Sequence, residues 1–249
     1  MLPFFSIIIP TYNAQKKLNF ALNSLLQQDF KDFEIIIMDG ASSDMTLNVI
    51  NYYASEDSRI RVFSEEDLGI YDAMNKGIIK GRGQYLYFLG SDDILFGDKV
   101  LSQIFEVLQE NAVDVLYGNV FSSRFDGLYD GLFTASKLYN KNICHQSIFF
   151  KRSVFQTIGV FDLKYKSQAD YDHNLKWFFS DKLSHSYSKI TIANYADGGF
   201  SSLNNDLLFI KNKKRLFFRL GRGKLSLNFY MKVVISFISQ YYYKLKNRF

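Results

Sequence analysis

Two adjacent carboxylates, Asp92 and Asp93, stand in the stretch FLGSDDIL directly behind a run of apolar and aromatic residues. Held side by side at the mouth of a buried strand, such groups are costly unless a cation or hydrogen-bond donors compensate them. A hard divalent ion, bound by one or two carboxylates together with substrate phosphates, is the usual solution. The pair therefore reads as the seat of a metal and a diphosphate, with a solvated N-cap for the helix over 99–110 as the alternative. Three further polar clusters share this setting: PTYN (10–13), DGASSD (39–44) and SEED (64–67) each follow a short apolar run. Any one of them alone could be a polar turn or a helix cap.

The elements that must position these clusters are legible from periodicity. FFSIII (4–9), FEIIIM (33–38), IRVFS (60–64) and QYLYFL (84–89) read as buried strands. Apolar spacing through Leu18, Ala21, Leu22 and Leu25 predicts a helix within 14–28, and Asp44 is a candidate N-cap for the helix through Val49 and Tyr53. GIYDAMNKGIIKG (69–81) predicts a third helix stopped by Gly81. This alternation predicts an α/β fold whose mainly parallel sheet is covered by helices. Ligands of such open sheets bind beyond the carboxyl ends of the strands, so all four clusters converge on one crevice.

Composition bounds the reading. With 249 residues, 47% hydrophobic and 17% aromatic, and two prolines, the chain is globular rather than disordered. A single cysteine, Cys144, leaves no internal disulfide, and the opening FFSIIIP lacks the basic flank of a signal peptide, so a cytoplasmic location is expected. The net charge of +5 hides a split. From residue 211 onward there are eleven Lys or Arg and no Asp or Glu, whereas residues 1–210 carry a formal −6. A basic tail calls for an anionic surface, lipid or nucleic acid. Residues 204–249 mix basic residues with Phe, Leu, Ile and Tyr, and Lys232 breaks the longest apolar stretch, so no membrane span is expected. A basic, aromatic-rich helix pair lying on anionic lipid is the expectation, with packing on the body or homodimerisation through the same surface as alternatives. A nicotinamide-dependent dehydrogenase would need G-x-G-x-x-G after the first strand, where PTYNAQ stands instead. A nucleic-acid-binding protein would leave the acidic body and the strand-end clusters without a role.

In order and spacing, FSIIIPTYN, DGASSDMT, SEEDLGIYDAMNKGI, GQYLYFLGSDD and CHQSIFFKRSVFQTIGVFD resemble the family 2 glycosyltransferases that build bacterial surface polysaccharide, over about residues 4–200. The resemblance implies a Rossmann-like GT-A catalytic domain over 1–203, followed by the 204–249 helical extension. It implies a nucleotide-diphosphate sugar donor, commonly UDP with GDP and dTDP as alternatives, a divalent metal (Mn2+ or Mg2+), and inversion at the anomeric carbon. The implied acceptor is a polyprenyl-diphosphate-linked glycan, and the implied location is peripheral, on the inner face of the cytoplasmic membrane. The rival is a non-catalytic sugar-nucleotide-binding or scaffold protein of the same fold. Thr11 and Tyr12 match positions that line the nucleobase pocket, with Pro10, Asn13 and Asp67 in the same nucleotide-sugar site. Asp39 matches the carboxylate that accepts from the base, Asp92 the one near the ribose, and Asp93 the one that holds the metal. Ser91 stands where some relatives carry Asp.

An acceptor hydroxyl attacking an anomeric carbon must lose its proton near the transition state. In SQADYDHNLKWFF (167–179) the family's Glu-Asp motif aligns with Ala169 and Asp170, which makes Asp170 the expected general base, with a purely helix-capping Asp170 as the alternative. His145, beside Gln146, and Asp172 are candidates for contact with acceptor or phosphate. Trp177 is expected in the core rather than as a sugar platform, and Cys144 as packing. Lys76 is read as an exposed, solvated lysine; relatives often carry an arginine two positions earlier, where this chain has Met74.

Overall fold

The structure, a computed structural model, describes residues 2–122, 127–129, 131–195, 206–231, 233 and 235. In chain order the elements are β1 (Phe5–Thr11), α1 (Leu18–Leu26), β2 (Phe33–Asp39), α2 (Thr46–Glu56), β3 (Ile60–Ser64), α3 (Ile70–Lys80), β4 (Tyr85–Phe88), β5 (Ile94–Leu95) and α4 (Val100–Glu110). They continue with β6 (Val115–Ser122), β7 (Gly127–Tyr129), α5 (Ala135–Asn140), a single 3-10 turn (His145–Ser147), β8 (Ile148–Lys151), α6 (Ser153–Ile158), α7 (Ala169–Phe178), β9 (His185–Asn194) and α8 (Leu207–Leu220).

Nine strands form one sheet in the order β3-β2-β1-β4-β8-β6-β9-β5, with β7 paired to β6. β3, β2, β1 and β4 run parallel, as the alternating pattern predicts. Beyond β4 the sheet becomes mixed: β8 is antiparallel to both β4 and β6, β9 is parallel to β6, and β5 and β7 are antiparallel to their neighbours.

β1 and β2 are buried along their whole length and apolar at their centres because both faces of the sheet are covered. Successive side chains point to opposite faces, and the two cores follow that alternation. Ile7, Ile9, Ile35 and Ile37 pack with Leu18, Leu22 and Ile50 of α1 and α2 and with Leu101 and Ile104 of α4. Ile8, Ile36 and Met38 pack on the other side, in the core that holds Tyr71, Met74 and Ile78 of α3 and Leu175 and Trp177 of α7. Trp177 is fully buried, as expected of a core residue, and its indole N–H donates to Asn174 Oδ1 at 2.8 Å.

The polar residues at the opposite, amino ends of the strands do structural work. Glu34 is buried and accepts from Ser6 Oγ (2.7 Å), from the Arg82 backbone N–H (2.7 Å) and from the guanidinium groups of Arg61 and Arg82. Burial alone would raise its carboxyl, but these donors together hold it below the ordinary glutamate range. The cluster ties β1, β2 and β3 to the turn before β4, leaving the carboxyl ends of the strands free for other work.

The carboxyl-terminal segment shares its inner face with the body. Phe209, Leu216 and Phe217 of α8 are buried in the same core as α7, and Phe209 lies against Tyr165 and Tyr171. Lys224 pairs with Asp181 at 2.5 Å, fixing the turn that follows α8. A further helical turn covers 227–231. The boundary expected at 203–204 and most of the tail beyond 231 lie outside the described residues. Among the described residues no helix is long and apolar enough to cross a membrane.

Candidate active site

The carboxyl ends of β1, β2 and β4 open onto a cleft of about 930 Å3. Of the residues singled out from the sequence, Pro10, Thr11, Tyr12, Asn13, Asp67 and Asp92 line it. Two loops define its rim. After β1, Asn13 adopts φ 48° and donates its backbone N–H to Ser42 Oγ (2.9 Å), while its side-chain oxygen accepts from Ser43 N (2.9 Å). After β2, Ala41 sits at φ 57°, a conformation that costs an alanine about 1–2 kcal/mol. Strained backbone of this kind persists only where its surroundings over-determine it. Tyr12 projects from the rim with an exposed ring.

Asp39 and Asp93 are buried just behind the cleft wall, next to Gly40 and Gly90, which line it. Asp39 accepts from Ser42 Oγ and Ser42 N with its two oxygens, and from Ser64 Oγ at 2.7 Å. Asp67 leans over Gly40, where a Cβ would come within 2.4 Å of its Oδ2. Burial raises the Asp67 carboxyl above its ordinary range, against the bond from Gly69 N and the charge of Lys76, and with Asp72 and Asp39 adding to the rise.

At Gly90 the same device recurs with two carboxylates. A Cβ there would sit 2.4 Å from Asp93 Oδ2 and 3.3 Å from Asp92 Oδ1, so both side chains approach one point that only a glycine leaves open. The capping alternative does not describe this pair: β5 intervenes, and α4 has Lys99 at its N-cap with no side-chain cap. Asp92 is ion-paired to Lys17 at 3.3 Å, and Asp93 accepts from Gln146 Nε2 at 2.7 Å. Two hard oxygen donors converging at the cleft edge suit a divalent cation that takes its remaining ligands from phosphate and water. Among the described residues no set of three or more His, Cys, Asp or Glu forms an all-protein metal cage.

Gln146 belongs to the 3-10 turn, and that turn bridges two carboxylates. Its side chain reaches Asp93, whereas the preceding residue, His145, places Nδ1 3.7 Å from Asp170 Oδ2. The Gln146 carbonyl is fixed by Tyr87 Oη at 2.8 Å, and Cys144 Sγ lies 2.8 Å from Gln146 Oε1, which gives the cysteine a packing and orienting role.

Asp170 is buried in the first turn of α7. Its Oδ1 accepts from Tyr71 Oη (2.8 Å) and from the backbone N–H of Tyr171 (2.9 Å), and its Oδ2 from Asn142 Nδ2 (2.8 Å). Asn142 is held in turn by Asn174, whose Nδ2 donates to Asn142 Oδ1 and to the Ile143 carbonyl. Tyr71 sits on α3, whose N-cap Gly69 and first-turn residues Ile70 and Ala73 edge the cleft. Burial, followed by the neighbouring Asp170 charge, drives the Tyr71 phenol well above its ordinary range, so it stays a donor.

Other expected positions fall elsewhere. Asp172 is buried and faces Lys176 at 2.7 Å, one turn along α7, rather than the cleft. Lys76 is not a free surface lysine: it pairs with Asp72 (3.4 Å) and donates to the Glu66 carbonyl (2.6 Å), clamping the SEED loop against α3. The sequence carried no signal for Tyr71, Asn142 or Lys17. Tyr71 reads as one more apolar position of a helix, and the partners of the other two lie 28 and 75 residues away.

Residues 6–172 match the family described as Glycosyl transferase family 2. The chain belongs to this family, and it is a glycosyltransferase. It is 37% identical over 213 residues to a PGL/p-HBAD biosynthesis glycosyltransferase of Mycobacterium bovis, covering 84% of this chain and 83% of that one. It is 30% identical over 210 residues to the chondroitin synthase of Pasteurella multocida, of which it spans 22%. Among solved structures, S. aureus TarS 1-349 in complex with UDP-GlcNAc superimposes with a TM-score of 0.71 at 21% identity, over 91% of this chain and 68% of that one. The mannosyltransferase PcManGT of Pyrobaculum calidifontis, in complex with GDP-Man and Mn2+, superimposes with a TM-score of 0.64 at 16% identity, over 82% and 60%. The chain spans 43% of a longer TarS structure. The fold is that of the GT-A transferases: a curled, mainly parallel sheet flanked by helices.

Proposed function

We propose that the chain is an inverting transferase that moves a sugar from a UDP-sugar to a hydroxyl of a glycan carried on a polyprenyl-diphosphate lipid, at the inner face of the cytoplasmic membrane. The observation that carries this reading is the 3-10 turn, whose consecutive residues His145 and Gln146 join the buried carboxylates Asp170 and Asp93. One carboxylate then serves the leaving diphosphate and the other the incoming hydroxyl. The UDP-GlcNAc held by TarS and the GDP-Man and Mn2+ held by the mannosyltransferase support a nucleotide-sugar donor and a divalent metal.

In this reading the exposed ring of Tyr12 stacks on the base, Thr11, Pro10 and Asn13 shape the pocket around it, and Asp39 and Asp67 present acceptors to the nucleoside. Asp93, with Asp92 beside it toward the ribose, would hold the metal, Mn2+ or Mg2+, whose charge would offset that growing on the departing diphosphate. Lys17, beside Asp92, adds a positive charge to that end. Asp170 takes the proton of the acceptor hydroxyl as the oxygen bonds to the anomeric carbon from the face opposite the diphosphate. The bond from the anomeric carbon to the diphosphate oxygen breaks, and its electron pair leaves with UDP. Tyr71 and Asn142 fix the carboxylate for that approach, so its geometry is set before substrate arrives. His145, with a ring nitrogen facing Asp170, contacts the acceptor hydroxyl or the phosphate.

The test is a panel of UDP-sugars, each incubated with the full chain, Mn2+ and a synthetic polyprenyl-diphosphate glycan. An α-linked donor should yield a β-linked product, read from the anomeric coupling constant. A retained configuration would exclude the single-displacement role of Asp170.

A further inference from the structure

We propose that the outer face of α8 is a docking surface for an anionic lipid bilayer. The inner face of this helix, through Phe209, Leu216 and Phe217, is spent on the core. The outer face carries Lys211, Arg215 and Arg219 at a spacing of four residues, one above the other. Like charges so placed destabilise a helix, and no acidic residue occurs in α8 to offset them. Among the described residues none of these three cations forms an ion pair. An external anionic surface relieves the cost of that arrangement.

A purely electrostatic partner would not account for the start of the helix. Leu207, Leu208 and Ile210 are exposed there, Leu207 at 77% and Ile210 at 58%. Leu207 and Leu208 stand one turn before Lys211 and continue its row, with Ile210 to one side, and apolar side chains next to such cations match a bilayer interface, where the chains enter the acyl boundary and the cations meet headgroups. A second copy of this chain cannot supply that complement face to face, since its own α8 repels.

The position of the helix gives the surface a use. Phe209, between the exposed Leu208 and Ile210, lies 5.1 Å from the ring of Tyr171, the neighbour of Asp170. The capping residue of α8, Asp206, accepts from the backbone of Ser167, three residues before Asp170. Docking through this face therefore brings the bilayer to the segment that carries the general base, where a lipid-linked hydroxyl has to arrive. This deepens the reading of a lipid-linked acceptor, but vesicle binding is measured without transfer, so either can fail alone.

The experiment is co-flotation of the full chain with vesicles of phosphatidylcholine alone, or of phosphatidylcholine with phosphatidylglycerol, at low and raised salt. The chain should bind the anionic vesicles and not the neutral ones, and lose affinity as salt rises. Reversing the row with Lys211→Glu, Arg215→Glu and Arg219→Glu should lower the affinity on the order of a hundredfold or more. Because reversal interrupts nothing in the core, the thermal midpoint should be unchanged. Leu208→Ser with Ile210→Ser should abolish the binding that survives raised salt. Equal flotation with neutral vesicles, undiminished binding of the charge-reversed chain, or no binding to either vesicle would overturn the proposal. So would a charge-reversed chain whose only change is its oligomeric mass in solution, since that would make the face an interface between copies.

Discussion

Replacing Asp170 by asparagine separates the proposed chemistry from the architecture around it. The carboxylate takes three hydrogen bonds, two at Oδ1 and one at Oδ2. The amide oxygen of an asparagine can keep the pair from Tyr71 and Tyr171, but its nitrogen then meets the Asn142 amide donor to donor. Asn142 cannot simply turn over, because its oxygen accepts from Asn174. One bond to a charged group is lost and one buried donor is orphaned, a cost of about 1.5–3 kcal/mol. For a chain of this size that lowers the melting midpoint by roughly 3–12 °C, leaving a folded protein at room temperature. Removing a general base should lower turnover by about 10²–10⁴-fold. Asp93 lies against the cleft-lining Gly90, whereas Asp170 is held by Tyr71, Tyr171 and Asn142, none of which lines the cleft, so UDP affinity should stay within a factor of about two. Turnover is followed as UDP release, with and without acceptor glycan, and affinity by calorimetry. Transfer retained within tenfold of the native rate, or a UDP affinity that falls in step with turnover, would refute the assignment.

Three further outcomes follow from the same geometry. Tyr71→Phe removes one donor from Asp170 without touching the cleft, so kcat should fall while the donor KM holds, at a stability cost of about 1–2 kcal/mol by chemical denaturation. Gly90→Ala places a methyl group 2.4 Å from Asp93 Oδ2 and should weaken metal-dependent UDP binding by about tenfold or more, measured by titration, with near-native circular dichroism. Glu34, held below its ordinary value of 4.5, contributes stability that is fully present above that value and is lost as pH falls through the lower folded value. Glu34→Gln should therefore be destabilised at neutral pH and lose less stability than the native chain on acidification, checked by melting between neutral and acidic pH.

The first four strands and the three helices among them were legible from their apolar spacing, and strands buried on both faces leave continuous apolar runs such as III at 7–9 and IIIM at 35–38. The rule that ligands gather at the carboxyl ends of strands then located Pro10, Thr11, Tyr12, Asn13, Asp67 and Asp92 in one cleft. What local pattern could not give was the environment of Asp170. Tyr71 is 99 residues away from it, and only the pairing of β8 between β4 and β6 brings the 3-10 turn, α3 and α7 to one place. The reading of Lys76 as a solvated lysine missed Asp72, one turn back on α3, and the Glu66 carbonyl on the loop before that helix. The capping alternative for Asp92 and Asp93 could be set aside only once the short β5 was seen to separate them from α4.

In the proposed mechanism Asp93 and the cleft beside it receive a metal and a nucleoside diphosphate. Calorimetric titration of the full chain with UDP, GDP and dTDP, each with and without manganese, is the measurement that decides this. Micromolar binding of UDP that requires the metal and vanishes in Asp93→Ala is the expected result. Binding that ignores the metal, or that survives the loss of Asp93, would contradict the account.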